Sequence, residues 1–206
     1  MNTRQPTTVV FDIGNVLLRW DPRHLYRGLF EDEAEMEWFL SHVCTPAWNL
    51  EQDRGRDWDE AVALLVQDYP GHESQIRAFH ERWPETVSGT YEQNVALLLK
   101  LRQAGVPNYS ITNFSGPKFV LSKEFFPFLA GFDGVIVSGD ERLLKPDPAI
   151  YRLLLDRYRL SAVDCVFIDD SRANIETART LGMHAIHYPD EQVDLAAELR
   201  RYGFPV

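Results

Sequence analysis

Five short runs, VVFDI (9–13), YSIT (109–112), GVIVS (134–138), CVFID (165–169) and HAIHY (184–188), dominate this 206-residue chain. Each is rich in β-branched or aromatic residues and too short for a helix, so each reads as a buried strand. Segments of helical length separate the later ones. Thr90 and Gln93 form a capping box ahead of Val95, Leu98 and Leu99, which recur at helical spacing. Asp147 followed by Pro148 reads as an N-cap with proline at the first helical position, leading into AIYRLLLDRY. Gly105 and Gly182 stand where a helix should stop before a strand. Strands alternating with helices in this way imply right-handed crossovers. The expected fold is α/β, with a doubly wound parallel sheet of five main strands.

One region breaks the rhythm. From about Asp21 to Gly89 no strand is readable, but HLYRGLF, EMEWFLSHV, WDEAVALLVQDY and IRAFHERW each place apolar residues on a helical face. The expectation is an α-helical cap domain at residues 20–89, inserted into a Rossmann-like core made of residues 1–19 and 90–206.

Composition limits the partners. A formal charge of −10 argues against a nucleic acid or an anionic membrane. An anionic substrate would then need a locally positive site, from a lysine, a metal ion or exposed backbone N–H groups. Cys44 and Cys165 are the only cysteines and do not make a disulfide framework, which fits a reducing cytosol. The start MNTRQPTT is polar and no apolar stretch approaches the ~20 residues of a membrane span. The expectation is a cytoplasmic protein without a signal peptide, whose oligomeric state is not readable.

Ligands of open parallel sheets bind beyond the carboxyl ends of the strands. Asp12 ends the first strand, Thr112 and Asn113 end the second, and Asp169 and Asp170 end the fourth. Lys145 follows the third within GDERLLKPDP. Taken singly, Asp169 or Asp170 reads as a helix cap, Thr112 and Asn113 as turn residues, and Lys145 as a solvated lysine. Asp12 has no such reading, because no helix begins after the Gly14-Asn15 turn. The ordered set is hard to explain by caps alone.

These motifs resemble those of the haloacid dehalogenase superfamily of hydrolases, and the likeness covers essentially the whole chain. FDIGNVL is similar to the nucleophile motif, ITN to the threonine/serine motif, LKPDP to the lysine motif and FIDDSRANI to the acidic motif. The helical insertion is similar to the cap of one large branch. The resemblance implies a magnesium-dependent phosphatase acting on a small phosphate ester, such as a sugar phosphate. In it Asp12 is the nucleophile and forms an aspartyl-phosphate that water hydrolyses. Mg2+ would be held by Asp12, the backbone carbonyl of Gly14 and Asp170, with Asp169 ligating directly or through water. Thr112 and the N–H of Asn113 would hold phosphate oxygens, and Lys145 would offset charge on nucleophile and phosphate.

The chain departs from that family at Gly14. Most of its phosphatases carry there an aspartate that protonates the leaving group and then activates water, a service typically worth ~10²–10⁴-fold. Three explanations compete. The leaving group is acidic enough to need little help; another acid substitutes, with Asp21 as candidate against its reading as a cap ahead of Pro22; or the chemistry differs. Phosphatases with the Asp-x-Gly-Asn-Val form, including sugar-phosphate phosphatases, exist in the family.

Two other functions compete with this one. A 2-haloacid dehalogenase would use Asp12 on carbon without metal, but such enzymes usually carry an aromatic residue two after the nucleophile and replace the acidic pair with serine and asparagine. Asp169 and Asp170 are both retained here, and three clustered carboxylates without a cation would repel one another. The other alternative is a non-catalytic binding protein on the same scaffold. The stretch TPAWNLEQDRG (45–55) reads as a polar loop between two helices. It either reaches over the site with Trp48, Asn49, Asp53 and Arg54 or is a solvated loop anchored by Trp48. His184 and His187 alternate with apolar neighbours and read as structural.

Overall fold

A computed structural model describes residues 5–206; the polar residues 1–4, part of the N-terminal stretch read above, lie outside the described residues. The strands are β1 (Thr8–Phe11), β2 (Leu18–Trp20), β3 (Val87–Thr90), β4 (Asn108–Thr112), β5 (Gly134–Val137), β6 (Cys165–Asp169) and β7 (His184–His187). Between β2 and β3 run helices α1 (Arg23–Tyr26), α2 (Glu33–His42), α3 (Pro46–Asp53), α4 (Trp58–Asp68) and α5 (Glu73–Glu81). After β3 come α6 (Glu92–Gln103), α7 (Gly116–Phe125), α8 (Ser138–Glu141), α9 (Pro148–Arg157), α10 (Arg172–Thr180) and α11 (Leu195–Arg201).

The main sheet has the order β5-β4-β1-β6-β7, and every adjacent pair is parallel. Among its own five strands that is the order 3-2-1-4-5, so the winding reverses between β1 and β6, the crevice where such sheets bind ligands. The register sets Phe11 opposite Ile168, which brings the next residues, Asp12 and Asp169, side by side. Alternation along each strand feeds two cores. Val9, Phe11, Val166 and Ile168 point to one side, with Leu98, Leu101 and Leu199. Val10, Cys165 and Phe167 point to the other, with Ile150, Leu154, Ile175 and Ala178 of α9 and α10.

Local signals explain several boundaries. Asp147 accepts the Ala149 N–H at 2.8 Å and Pro148 opens α9. Gly105 and Gly182 follow α6 and α10 with φ of 72° and 89°, a conformation that costs other residues more. Cys44 and Cys165 are buried and unpaired. Among the described residues, no helix is long and apolar enough to cross a membrane.

Three local expectations are corrected. Val87–Thr90 is a strand, pairing antiparallel with Leu18–Trp20 in a two-stranded ribbon, although no strand was expected between residues 21 and 89. Its sequence VSGT is a poor strand former, and the partner strand holds it. Thr90 is therefore committed to the ribbon opposite Leu18 and does not cap α6, which starts at Glu92 after Tyr91 without a side-chain cap. Residues 46–53 form a helix instead of a loop, with the Thr45 hydroxyl accepting the Trp48 N–H at 3.0 Å and Pro46 in the first turn.

The α6 pair Leu98 and Leu99, one fully buried and one 42% exposed, separates periodicity from packing. Leu98→Ala is expected to lower the unfolding free energy by about 2–5 kcal/mol. Leu99→Ala should stay within about 0.5 kcal/mol of the parent. Urea unfolding of both variants measures the contrast.

Candidate active site

The sheet register delivers the first half of the site. Asp12 follows β1, its N–H donating to the Ile168 carbonyl at 2.8 Å. Asp12 is 7% exposed, and its carboxylate accepts the Ile13 N–H at 2.7 Å. Lys145, reached by the loop after α8, puts its ammonium 2.7 Å from Asp12 Oδ1 and 2.7 Å from Asp169 Oδ2. Asp169 Oδ1 takes the Ser171 N–H and the Asn174 side-chain amide, each at 2.8 Å. Burial of this kind raises a carboxyl's pKa, and Asp12 is held well above its usual range by it; Lys145 pulls back while Asp169 and Asp170 push further up. Asp170 is raised too, by burial and then by Asp169. Burial alone would lower Lys145, but the Asp12 and Asp169 carboxylates outweigh it and hold the ammonium charged.

Carboxylate oxygens of Asp12, Asp169 and Asp170 lie within 4.8 Å of one another. A cluster of hard oxygen donors with one lysine is the donor set that suits Mg2+ and not a soft metal.

The second half comes from β4. Thr112 ends that strand, and its buried hydroxyl has no hydrogen-bond partner among the described residues. An unpartnered buried hydroxyl costs about 1–3 kcal/mol, so this is a place where a ligand oxygen would be welcome. The Asn113 amide is spent on Lys145: Nδ2 donates to the Lys145 carbonyl at 3.0 Å and Oδ1 accepts the Lys145 N–H at 2.8 Å. That reciprocal pair fixes the lysine's backbone, a role the sequence reading did not assign. Asn174 was also missed, although a polar residue in the first turn after an acidic strand end is a readable signal.

The Gly14-Asn15 turn is as read. Asn15 has φ 53°, its side-chain oxygen accepts the Trp20 N–H at 3.2 Å, and Gly14 bridges to Leu18. Asp21 takes the capping alternative: its Oδ1 accepts the Arg23 N–H at 2.9 Å and faces the Arg23 guanidinium at 3.3 Å. Trp48 packs edge-on against Trp58 and Phe79. His187 Nε2 donates to the Asp170 carbonyl at 2.9 Å, and His184 packs on Tyr202.

Two cavities border the helical segment. The one that reaches Gly14 and Asn113 has a volume of about 200 Å³ and is also lined by Asp53 and Lys118. The other, about 630 Å³, lies under α1, α2 and α3 between Arg19, Arg23, Leu40 and Phe79, and shares Trp20 and Asn49 with the first.

Asp12, Lys145, the Thr112 hydroxyl and the Asp169-Asp170 pair gather at the switch point of a 3-2-1-4-5 sheet, in the chain order of the haloacid dehalogenase-like motifs. Residues 6–182 match the haloacid dehalogenase-like hydrolase family, and the chain belongs to it. It is 26% identical over 182 residues to the sesquiterpene phosphatase astK of Aspergillus oryzae, covering 88% of this chain and 89% of that one. It is 29% identical over 197 residues to a phosphoglycolate phosphatase of Xanthomonas campestris, covering 89% and 83% respectively. Some other relatives are longer, and the chain spans about a third of them or less. A magnesium complex of a HAD family enzyme from Bacteroides thetaiotaomicron shares the fold, with a TM-score of 0.76 at 20% identity over 96% of this chain and 100% of that one. The chain is a hydrolase with phosphatases among its relatives.

Lys145→Met leaves two buried carboxylates without their cation. In chelator-treated protein at neutral pH this should cost about 3–5 kcal/mol of stability. The deficit should shrink as the pH falls, because the folded-state pKa of Asp12 then lies still further above its unfolded value and the folded state binds the proton first. Thermal unfolding from neutral to acid pH reads both effects.

Proposed function

We propose that the protein is a magnesium-dependent phosphomonoester hydrolase that acts in the cytoplasm on a small phosphorylated metabolite, such as a sugar phosphate. The observation that carries this reading is the clustering of Asp12, Asp169 and Asp170 around Lys145. Carbon–halogen hydrolysis has no use for such a cluster, whereas phosphoryl transfer is largely charge neutralisation and positioning. The names of the phosphatase relatives support the same choice.

In this reading Asp12 attacks phosphorus in line. A bond from its carboxylate oxygen to phosphorus forms as the ester P–O bond breaks, and water later hydrolyses the aspartyl-phosphate. The free hydroxyl of Thr112 and the Asn113 N–H take phosphate oxygens, and Lys145 offsets the added charge. Magnesium, when bound, supplies further neutralisation of the phosphate and the carboxylates. Its ligands would be Asp12, the Gly14 carbonyl and Asp170. Asp169 already gives both oxygens to Lys145, Ser171 and Asn174, which favours Asp170 for direct ligation. Residues 20–89 act as the cap over a core of residues 1–19 and 90–206, and the larger cavity takes the part of the substrate that leaves.

Turnover of p-nitrophenyl phosphate with added magnesium is expected to vanish on chelation and to return with the ion. Asp12→Asn should abolish it with the fold intact, and Asp170→Ala should raise the magnesium concentration for half-activation more than Asp169→Ala does. Chloride release from a 2-chloro acid that survives chelation would overturn the phosphatase reading.

A further inference from the structure

Glycine at position 14 leaves the phosphatase reading without a proton donor, and the cavity beside it contains one. Gly14 faces open space: a Cβ built there meets nothing within 4 Å. The cavity of about 200 Å³ that it lines is also lined by Asp53, the last residue of α3. Among the described residues lining this cavity, Asp53 and Lys118 alone are ionisable.

Asp53 is held in place by the core. Its backbone carbonyl accepts the Ser138 hydroxyl, and its side chain accepts the Asn49 amide at 3.1 Å. Two residues on, Gly55 (φ 99°) lies so close to α8 that a Cβ would collide with the Gly139 carbonyl oxygen. Trp58 Nε1 donates to the Ser115 hydroxyl at 2.8 Å. The end of α3 is therefore seated on α8, and Trp58 of α4 and the Ser115 backbone against the Asp53 carboxyl tie it to the loop that follows Thr112 and Asn113.

We infer that Asp53 is the general acid and base of the reaction, replacing from across the cavity the group that Gly14 lacks. This rests on the phosphatase reading. In the first step the Asp53 carboxyl gives its proton to the leaving ester oxygen as the P–O bond breaks and Asp12 bonds to phosphorus. In the second, the Asp53 carboxylate takes a proton from water as the water oxygen attacks the aspartyl-phosphate. Inorganic phosphate and the protonated carboxyl result, so the cycle closes without another reactant.

The environment of Asp53 suits both duties. Burial pushes its carboxyl up to about 7, opposed in part by the Ser115 backbone N–H, so both protonation states are populated near neutral pH. Lys118, lowered to about 8 by burial, spends its ammonium on the His80 carbonyl at 2.6 Å and on the Trp58 ring face at 5.2 Å. Asp21, by contrast, is occupied by Arg23.

The test compares Asp53→Asn with the parent on simple alkyl phosphates and on p-nitrophenyl phosphate, whose leaving group needs no proton. Expected is a fall in kcat/KM of ~10²–10⁴-fold for the alkyl esters and a much smaller one for the aryl ester. For alkyl esters the parent's activity should decline as the pH rises through about 7, since the acid must be protonated, and the variant should lose that limb. A titration of Lys118 would move both ester classes together. Gly14→Asp added to Asp53→Asn should restore alkyl-ester turnover, because Gly14 is not left-handed and the space is open. Equal losses on both esters with an unchanged melting temperature overturn the role, and so does failure of the added aspartate to rescue. A parent protein inert toward every ester, with or without magnesium, overturns the phosphatase reading itself.

Discussion

The Lys145 ammonium, 1% exposed and shared between Asp12 and Asp169, is the interaction on which the rest of the molecule depends. A buried lysine or a buried carboxylate alone would be neutralised or expelled. Held at 2.7 Å from each other, they keep charge in a place that is almost wholly buried. That requires three separate parts of the chain to agree in position. β1 and β6 must be neighbours in register, which only the reversal of winding between them provides. The loop before α9 must then deliver the lysine, and Asn113 of the neighbouring strand end fixes it at both backbone atoms.

With that cation in place, the remaining groups are left unusually ready for a ligand. Thr112 keeps its hydroxyl unpartnered, the three carboxylates face one point, and the turn at Gly14 opens onto a cavity. The same economy shapes the helical segment. Instead of resting on the core through broad apolar contact alone, it adds a few polar ties: Ser138 to Asp53, Trp58 to Ser115 and Lys118 to His80. All three reach the core just beyond β4 and β5, next to the groups that would hold phosphate.

The sheet was legible because its strands are buried on both faces, so each is a short apolar run that periodicity detects. The polar groups that the structure gathers at the rim were legible because they stand at or beyond the ends of those runs. What escaped was held by partners distant in sequence. VSGT becomes a strand only beside Leu18–Trp20. Asn113 acts through Lys145, 32 positions away, and Asn174 through a carboxylate that is itself paired elsewhere. The α3 helix is a different failure: Thr45 and Pro46 spell a helix start, and the polarity of NLEQDRG concealed it. With the helix unread, Asp53 was placed on a loop that either reaches over the site or is solvated, whereas it ends a helix seated against the core.

The ribbon of β2 and β3 gives the helical segment its mechanics. The chain enters and leaves that segment through two strands bonded to each other, Leu18 opposite Thr90 and Trp20 opposite Val87. The ribbon is tied in turn to the turn beside Asp12, through the Gly14 bridge to Leu18 and the Asn15 side chain on Trp20. The helices therefore hang on the same backbone that carries Asp12, two residues away, so the root of the helical segment and the turn at the strand end share one support.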